Sequence, residues 1–249
     1  MEPLYLLLVF AAGTLSGIIN VMAGGGSALT LPLLIFLGLD GAMANGTNRI
    51  AIFVQSIFAV WSFRQQKMHQ FRESLRLSAW TLPGGVLGAL AALKIGDEWF
   101  ERILAIVLIW VIISMFASPG NRSGAAGPPD LRRRWLVYPA MLAIGFYGGF
   151  IQVGVGFMLM AALFHLLKMN LVEVNMHKVF IVMIFTIPAL AIFIIGGKVD
   201  WWWGLSLAAG NSLGGWWAAR VSVKKGERVI RWVLFAAMLL MAARLLGVF

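Results

Sequence analysis

AGGGSALTLPLLIFLGLDGAMANGTNRIA, residues 23–51, decides how the rest of the chain is read. Three adjacent glycines, Gly24, Gly25 and Gly26, interrupt a run that is otherwise apolar from Leu4 onward. As a helix, the apolar piece that follows, residues 27–38, is roughly 18 Å long, too short for a hydrocarbon core of about 30 Å. Asn45, Thr47, Asn48 and Arg49 then head another long apolar segment. A fractured helix followed by a cation at membrane depth is the combination an anion-transport site requires.

The composition around this stretch agrees. Hydrophobic residues make up 61% of the chain, charged ones 12%, and the mean hydropathy is +0.88, values that predict an all-α integral membrane protein. The first run, Leu4 to Ala23, has only Glu2 as a charge before it and reads as a retained helix, not a signal peptide. The net charge of +10 resides in Lys and Arg of the short loops, where membrane topology accounts for it and nucleic acid is not needed. With no cysteine, disulfides and thiol chemistry are excluded. There is no metal-ligand spacing, serine triad, P-loop or nucleotide fingerprint, so neither an enzyme nor a cofactor is expected.

Apolar segments fall at 4–23, 27–38, 43–63, 74–93, 99–117, 135–153, 157–167, 174–196, 201–219 and 229–248. The second and seventh are short and the other eight long. Residues 118–134, SPGNRSGAAGPPDLRRR, read as a cytoplasmic linker between a first repeat, 1–117, and a second, 135–249, within one transmembrane domain 1–249. A shift of 130 residues lays Gly24–Gly26 on Gly154 and Gly156, Asn45 on Asn175, Thr47 on His177 and Asn48 on Lys178. Basic loops at Arg64, Lys67, Arg72 and Arg76, at Arg132–Arg134, and at Arg220, Lys224, Lys225, Arg228 and Arg231 should be cytoplasmic; the loop with Lys94, Asp97, Glu98 and Glu101 and the turn with Lys198 and Asp200 should face outward. On that assignment the two repeats are inverted, with discontinuous helices in corresponding places, the architecture of secondary transporters. Whether each short segment crosses the membrane or forms a re-entrant hairpin with the one before it, the pair returns to its starting face.

Candidate ligand contacts follow from this layout. Gly24, Gly25, Gly26, Gly154 and Gly156 unwind the backbone and turn N–H groups and a positive helix end toward a ligand. Arg49 and Lys178 lie well inside apolar segments that contain no carboxylate, so an anion is expected to supply the missing charge; snorkelling to the membrane surface is the bland alternative. Asn45, Thr47, Asn48, Asn175 and His177 add polar groups on the same helix starts, with capping as the alternative for the asparagines. His177 titrates near neutrality and could carry a proton. Gln152, two residues before Gly154, could line the cavity. Gly13-x3-Gly17 reads instead as close helix packing.

The run from Gly17 to Gly26, with Pro32, the cluster Ala44–Asn48 and a degenerate second copy, resembles the TauE/SafE sulfite exporter family over nearly the whole chain. The resemblance implies a two-halved permease, multi-pass in the bacterial inner membrane, that moves sulfur-containing anions such as sulfite or organosulfonates, mostly outward. It matches Gly24–Gly26, Thr47 and Asn48 to a first motif and Gly154, Gly156 and Asn175 to a second. The expected partners are a small anion and the lipid bilayer, and a homo-oligomer is compatible with the sequence. An anion channel, or an uptake permease for sulfonates or thiosulfate, stands as the alternative.

Overall fold

Side-chain caps start the long helices. Asp40 Oδ1 accepts the Met43 N–H at 2.7 Å. Asn170 Oδ1 accepts from Val172 and Glu173 at 3.0 and 2.9 Å, and Glu173 returns the bond to the Asn170 N–H at 3.2 Å, a capping box. Asp200 Oδ1 accepts from Trp202 and Trp203, both at 3.0 Å. Each such cap stabilises its helix by about 1 kcal/mol. The computed structural model describes residues 3–68, 70–96, 98–100, 102–107, 135–226, 229 and 232, and among them every regular element is helical. The helices are α1 (Pro3–Met22), α2 (Ser27–Phe36), α3 (Gly41–Gln65), α4 (Phe71–Lys94), α5 (Val137–Phe150), α6 (Val155–Leu167), α7 (Leu171–Ile195) and α8 (Trp201–Lys225).

Both expected helix breaks are present. Gly24 has φ +89° and Gly154 φ +75°, a left-handed backbone that glycine adopts without a Cβ penalty. The chain reverses at each. Val9 of α1, Leu34 of α2, Ala44 of α3 and Leu207 of α8 share one apolar cluster, so α2 runs back beside α1 to the end where α1 began. Val137 of α5, Leu163 of α6, Leu171 of α7 and Leu77 of α4 do the same in a second cluster. Both short helices therefore fold back as hairpins on the helix before them.

The lengths differ from the sequence reading at one place. Residues 135–153 were expected as a long span, yet α5 has 14 residues, and with α2 (10) and α6 (13) it makes three short apolar helices among the described residues. Ile151 is extended at φ −130°, ψ +122°, ending the helix while the side chains stay apolar, so hydropathy runs on past the break. Residues 108–134, which include the expected linker and the end of the 99–117 segment, lie outside the described residues, as do Asp97, Glu101, Arg228, Arg231 and nearly all of the 229–248 segment.

Glycine stripes set the helix pairing, because lipid tails give no hydrophobic drive between helices and close approach must supply the attraction. On α1, a Cβ at Gly17 would stand 2.4 Å from the Asn211 carbonyl oxygen; on α8, one at Gly214 would stand 2.1 Å from the Thr14 oxygen. The same arrangement joins α5 to α4, where Gly149 meets the Gly85 oxygen at 2.1 Å and Gly88 the Phe146 oxygen at 2.0 Å. In each pair residue numbers rise together, so the partners are parallel. Between the pairs, α3 and α7 run antiparallel: Arg49 meets Phe193, and Phe63 shares a cluster with Met176.

Candidate functional site

Arg49 and Lys178 are both buried, at 0% and 2% exposure, which excludes snorkelling. Arg49 reaches the end of α5. Its Nη1 donates to Gly148 O at 3.1 Å and Gln152 Oε1 at 2.8 Å, its Nη2 to Gly149 O at 2.5 Å, and its guanidinium lies 4.7 Å from the Phe193 ring centroid. Lys178 serves α1 in the same way, donating to Val21 O at 2.7 Å, Asn175 Oδ1 at 2.9 Å and Met160 Sδ at 3.5 Å. The last carbonyls of a helix have no intrahelical donor and carry its negative dipole end, so a cation is stabilised there. Both cations thus have internal hydrogen-bond partners. Beside the side chains of Gln152, Asn175 and Met160, their partners are backbone carbonyls freed by the breaks, which side-chain letters do not reveal. Carbonyls leave the charge itself uncompensated, and among the described residues neither cation meets a carboxylate: the ion pairs are Arg102–Glu98 and Lys198–Asp40.

The other expected residues divide by what they touch. Asn45 Nδ2 donates to Phe150 O at 2.9 Å, adding a third contact to the α5 end. Asn48 accepts from Thr30 at 2.7 Å and donates to Ser27 at 3.2 Å, tying α2 to α3. Thr47 Oγ1 accepts the Asp200 N–H at 2.9 Å and so serves the start of α8. His177 Nδ1 pairs with Ser74 Oγ at 2.8 Å and couples α7 to α4. The breaks pack on each other. A Cβ on Gly24 would lie 2.4 Å from the Gly156 carbonyl carbon, one on Gly25 2.3 Å from the Phe157 ring, and one on Gly26 2.2 Å from Ser16 O.

Beside this seam is a small cavity, with about 10 Å³ open to the centre of a water molecule, room for about one water. Asn20, Ser27, Gln55, Ser56, Gln152, Gly156 and Lys178 line it, with Ile52, Val155, Val179 and Val182 as the apolar wall. The starts of α2 and α6 open onto it, and neither carries a side-chain cap. The Ala28, Leu29, Phe157 and Met158 N–H groups bond to the Gly25, Gly26 and Gly154 carbonyls, which leaves those of Ser27, Val155 and Gly156 to meet an anion. Gln152 Nε2 and Asn175 Nδ2 are buried donors without a partner. Among the described residues no three His, Asp or Glu side chains gather as metal ligands. A lining rich in donors, with one ammonium and no carboxylate, suits an anion.

A family model for the sulfite exporter TauE/SafE matches residues 9–245. The chain belongs to the TauE/SafE family. It is similar to the probable membrane transporter protein YfcA of Escherichia coli (strain K12), 30% identical over 250 residues that cover 99% of this chain and 91% of the other. A probable membrane transporter protein of Haemophilus influenzae is 26% identical over 244 residues, covering 96% and 94%, and YunE of Bacillus subtilis 21% identical over 269, covering 98% of each. No solved structure matches. The protein is a membrane transporter and not an enzyme.

Of the residues expected from sequence, this TauE/SafE transporter brings Gln152, Gly156 and Lys178 to the cavity. Gly24, Gly25, Gly26, Asn45, Thr47, Asn48, Arg49, Gly154, Asn175 and His177 hold the surrounding helices. Missed were Asn20, Ser27, Gln55 and Ser56. Gln55 and Ser56 follow Asn48 and Arg49 by seven residues each, two helical turns along one face, so a polar stripe on an apolar segment was the available signal.

Proposed function

We propose that the protein is an alternating-access carrier that exports small sulfur-containing anions, sulfite or organosulfonates, across the bacterial inner membrane, with both termini outside. The observation that carries the anion reading is the pair of uncapped half-helix starts and the buried, carboxylate-free Lys178 around one polar cavity. The sulfur class comes from the family's description, since the relatives are named only as probable membrane transporters.

Inverted repeats are part of this reading, with α1–α4 in the first, 1–117, and α5–α8 in the second, 135–249. Its support is an exchange rule in the contacts. Replacing α1, α2, α3 and α4 by α5, α6, α7 and α8, and the reverse, turns the α1–α8 glycine seam into the α5–α4 seam. The same exchange turns Arg49 on the α5 end into Lys178 on the α1 end. The antiparallel course of α3 and α7 agrees with inversion. Each intramembrane cation then fastens a broken helix of the other repeat, which gives two units able to rock about the seam where the breaks meet.

Radiolabelled sulfite flux in proteoliposomes tests the proposal. Saturable uptake with accelerated counterflow is expected. Absence of flux for sulfite, thiosulfate and sulfoacetate by folded, reconstituted protein would overturn it, and ohmic single-channel currents would replace the carrier with a pore.

A further inference from the structure

Around the cavity, hydrogen-bond partners outside it decide which way the polar side chains present their protons. Gln152 Oε1 accepts from Arg49 Nη1 at 2.8 Å. A guanidinium only donates, so the amide NH₂ is the free end of Gln152, and its Nε2 is buried without a partner on a residue that lines the cavity. Ser27 is set by a longer relay. Thr30 Oγ1 donates to Asn48 Oδ1 at 2.7 Å, which turns the Asn48 NH₂ toward Ser27 Oγ at 3.2 Å. Having accepted that bond, the Ser27 hydroxyl keeps its own proton for the cavity. Gln55 accepts from Asn20 at 3.1 Å and likewise retains its NH₂, whereas the half-buried Asn20, having given its NH₂ to that bond, keeps a carbonyl oxygen; the Lys178 ammonium has no lone pair to offer.

We propose that the buried part of the cavity, at Ser27, Gln55, Gln152 and Lys178, is a cage of donors that selects fully deprotonated oxyanions over anions of equal charge that still carry an O–H. Asn48 and Arg49 are its positioning residues, acting through Ser27 and Gln152 without touching the ligand. The inference rests on the anion-carrier reading and specifies the chemistry its ligand must have. An anion that accepts at every oxygen pairs with the Ser27, Gln55 and Gln152 side-chain donors and with the N–H groups of Ser27, Val155 and Gly156. An anion with one proton left presents that proton to another donor and buries it unpaired. Loss of one buried hydrogen bond of this kind is worth roughly 10- to 100-fold in affinity. Size and total charge do not enter this discrimination, which separates it from plain electrostatic attraction.

Sulfate and hydrogen phosphate are the probes. At mildly alkaline pH both are dianions of similar size, and only phosphate keeps a proton. Titration of purified protein in detergent, read by tryptophan fluorescence, is expected to favour sulfate by roughly 10- to 100-fold. Asn48→Asp keeps the shape and the bond from Thr30, but its second oxygen can only accept. It therefore takes the Ser27 proton and turns a Ser27 lone pair into the cavity. The sulfate preference should fall about tenfold, and in the double variant with Ser27→Ala the Asn48→Asp change should no longer move it. Ser27→Ala alone provides a second reading if Asn48→Asp does not fold, and should weaken sulfate binding more than hydrogen phosphate binding. Equal binding of the two dianions by the wild type overturns the cage. A folded Asn48→Asp protein with unchanged preference overturns the relay. Failure to bind sulfate, sulfite or thiosulfate at all overturns the carrier reading beneath both.

Discussion

Gly24 and Gly156 meet backbone to backbone where the two broken helices touch, with no room for a methyl group on either: a Cβ on Gly156 would stand 2.4 Å from the Gly24 Cα. Backbone cannot move aside as a flexible side chain can, so Gly156→Ala must push the two hairpins apart. The expected loss is about 1–3 kcal/mol, read as a lower unfolding midpoint in detergent. Gly96→Ala is the comparison, since its Cβ would meet nothing within 4 Å and should leave the midpoint in place. Equal midpoints for the two variants would mean that the breaks are not in contact.

The crossed caps make a local prediction. Arg49→Met frees the Gly148 and Gly149 carbonyls at the end of α5, whereas Lys178→Met frees Val21 at the end of α1. Hydrogen exchange should rise around residues 148–153 in the first variant and around 20–26 in the second, each with a stability loss of about 1–3 kcal/mol. Faster exchange confined to the mutated helix itself would rule out capping across the repeats.

These caps also show where sequence reading stops. The glycine breaks, the short α2 and α6 and the buried depth of Arg49 and Lys178 were legible because each is a departure from apolar patterning. The α5 terminus was not, because Phe150–Val153 stay apolar while the backbone leaves the helix. Nor were the main-chain carbonyls among the cations' partners, which look the same in every residue type. At the site, Lys178, Gln152 and Gly156 were found from their setting in a second glycine break. Ser27 and Asn20 escaped because a serine or asparagine next to a helix end is as good a cap as a ligand contact, and only packing distinguishes the two.

Thr47 separates a structural role from a ligand role. Its hydroxyl accepts the Asp200 N–H at 2.9 Å, at the start of α8. Thr47→Val keeps the volume and removes the acceptor, so stability should fall by about 0.5–1.5 kcal/mol while sulfite flux per folded molecule stays at the wild-type level. Thr47→Ser should restore the stability. Loss of flux in a Thr47→Val protein of unchanged stability would return Thr47 to the ligand.

The absence of cysteine gives a clean background for testing orientation. One end of the helix bundle carries the turn after α3, with Arg64 and Lys67, the start of α4 with Arg72 and Arg76, the end of α6 before Lys168, and the end of α8 with Lys224 and Lys225. The other carries the ends of α2, α4 and α7, where Asp40 pairs with Lys198 at 3.2 Å. Basic residues are retained on the cytoplasmic side, so the first end should face the cytoplasm. Single cysteines at Gln66 and Lys225 should then resist an impermeant maleimide added to whole cells and react after lysis. Cysteines at Gly96 and Trp202 should react from outside at once, since Gly96 has open space around it and Trp202 is 68% exposed. The reverse pattern would turn the whole protein over. Labelling of Gln66 and Lys225 on opposite faces would be more damaging, because Thr47 meets Asp200 and Ser62 meets Trp216, so α3 and α8 run parallel and must end on the same side.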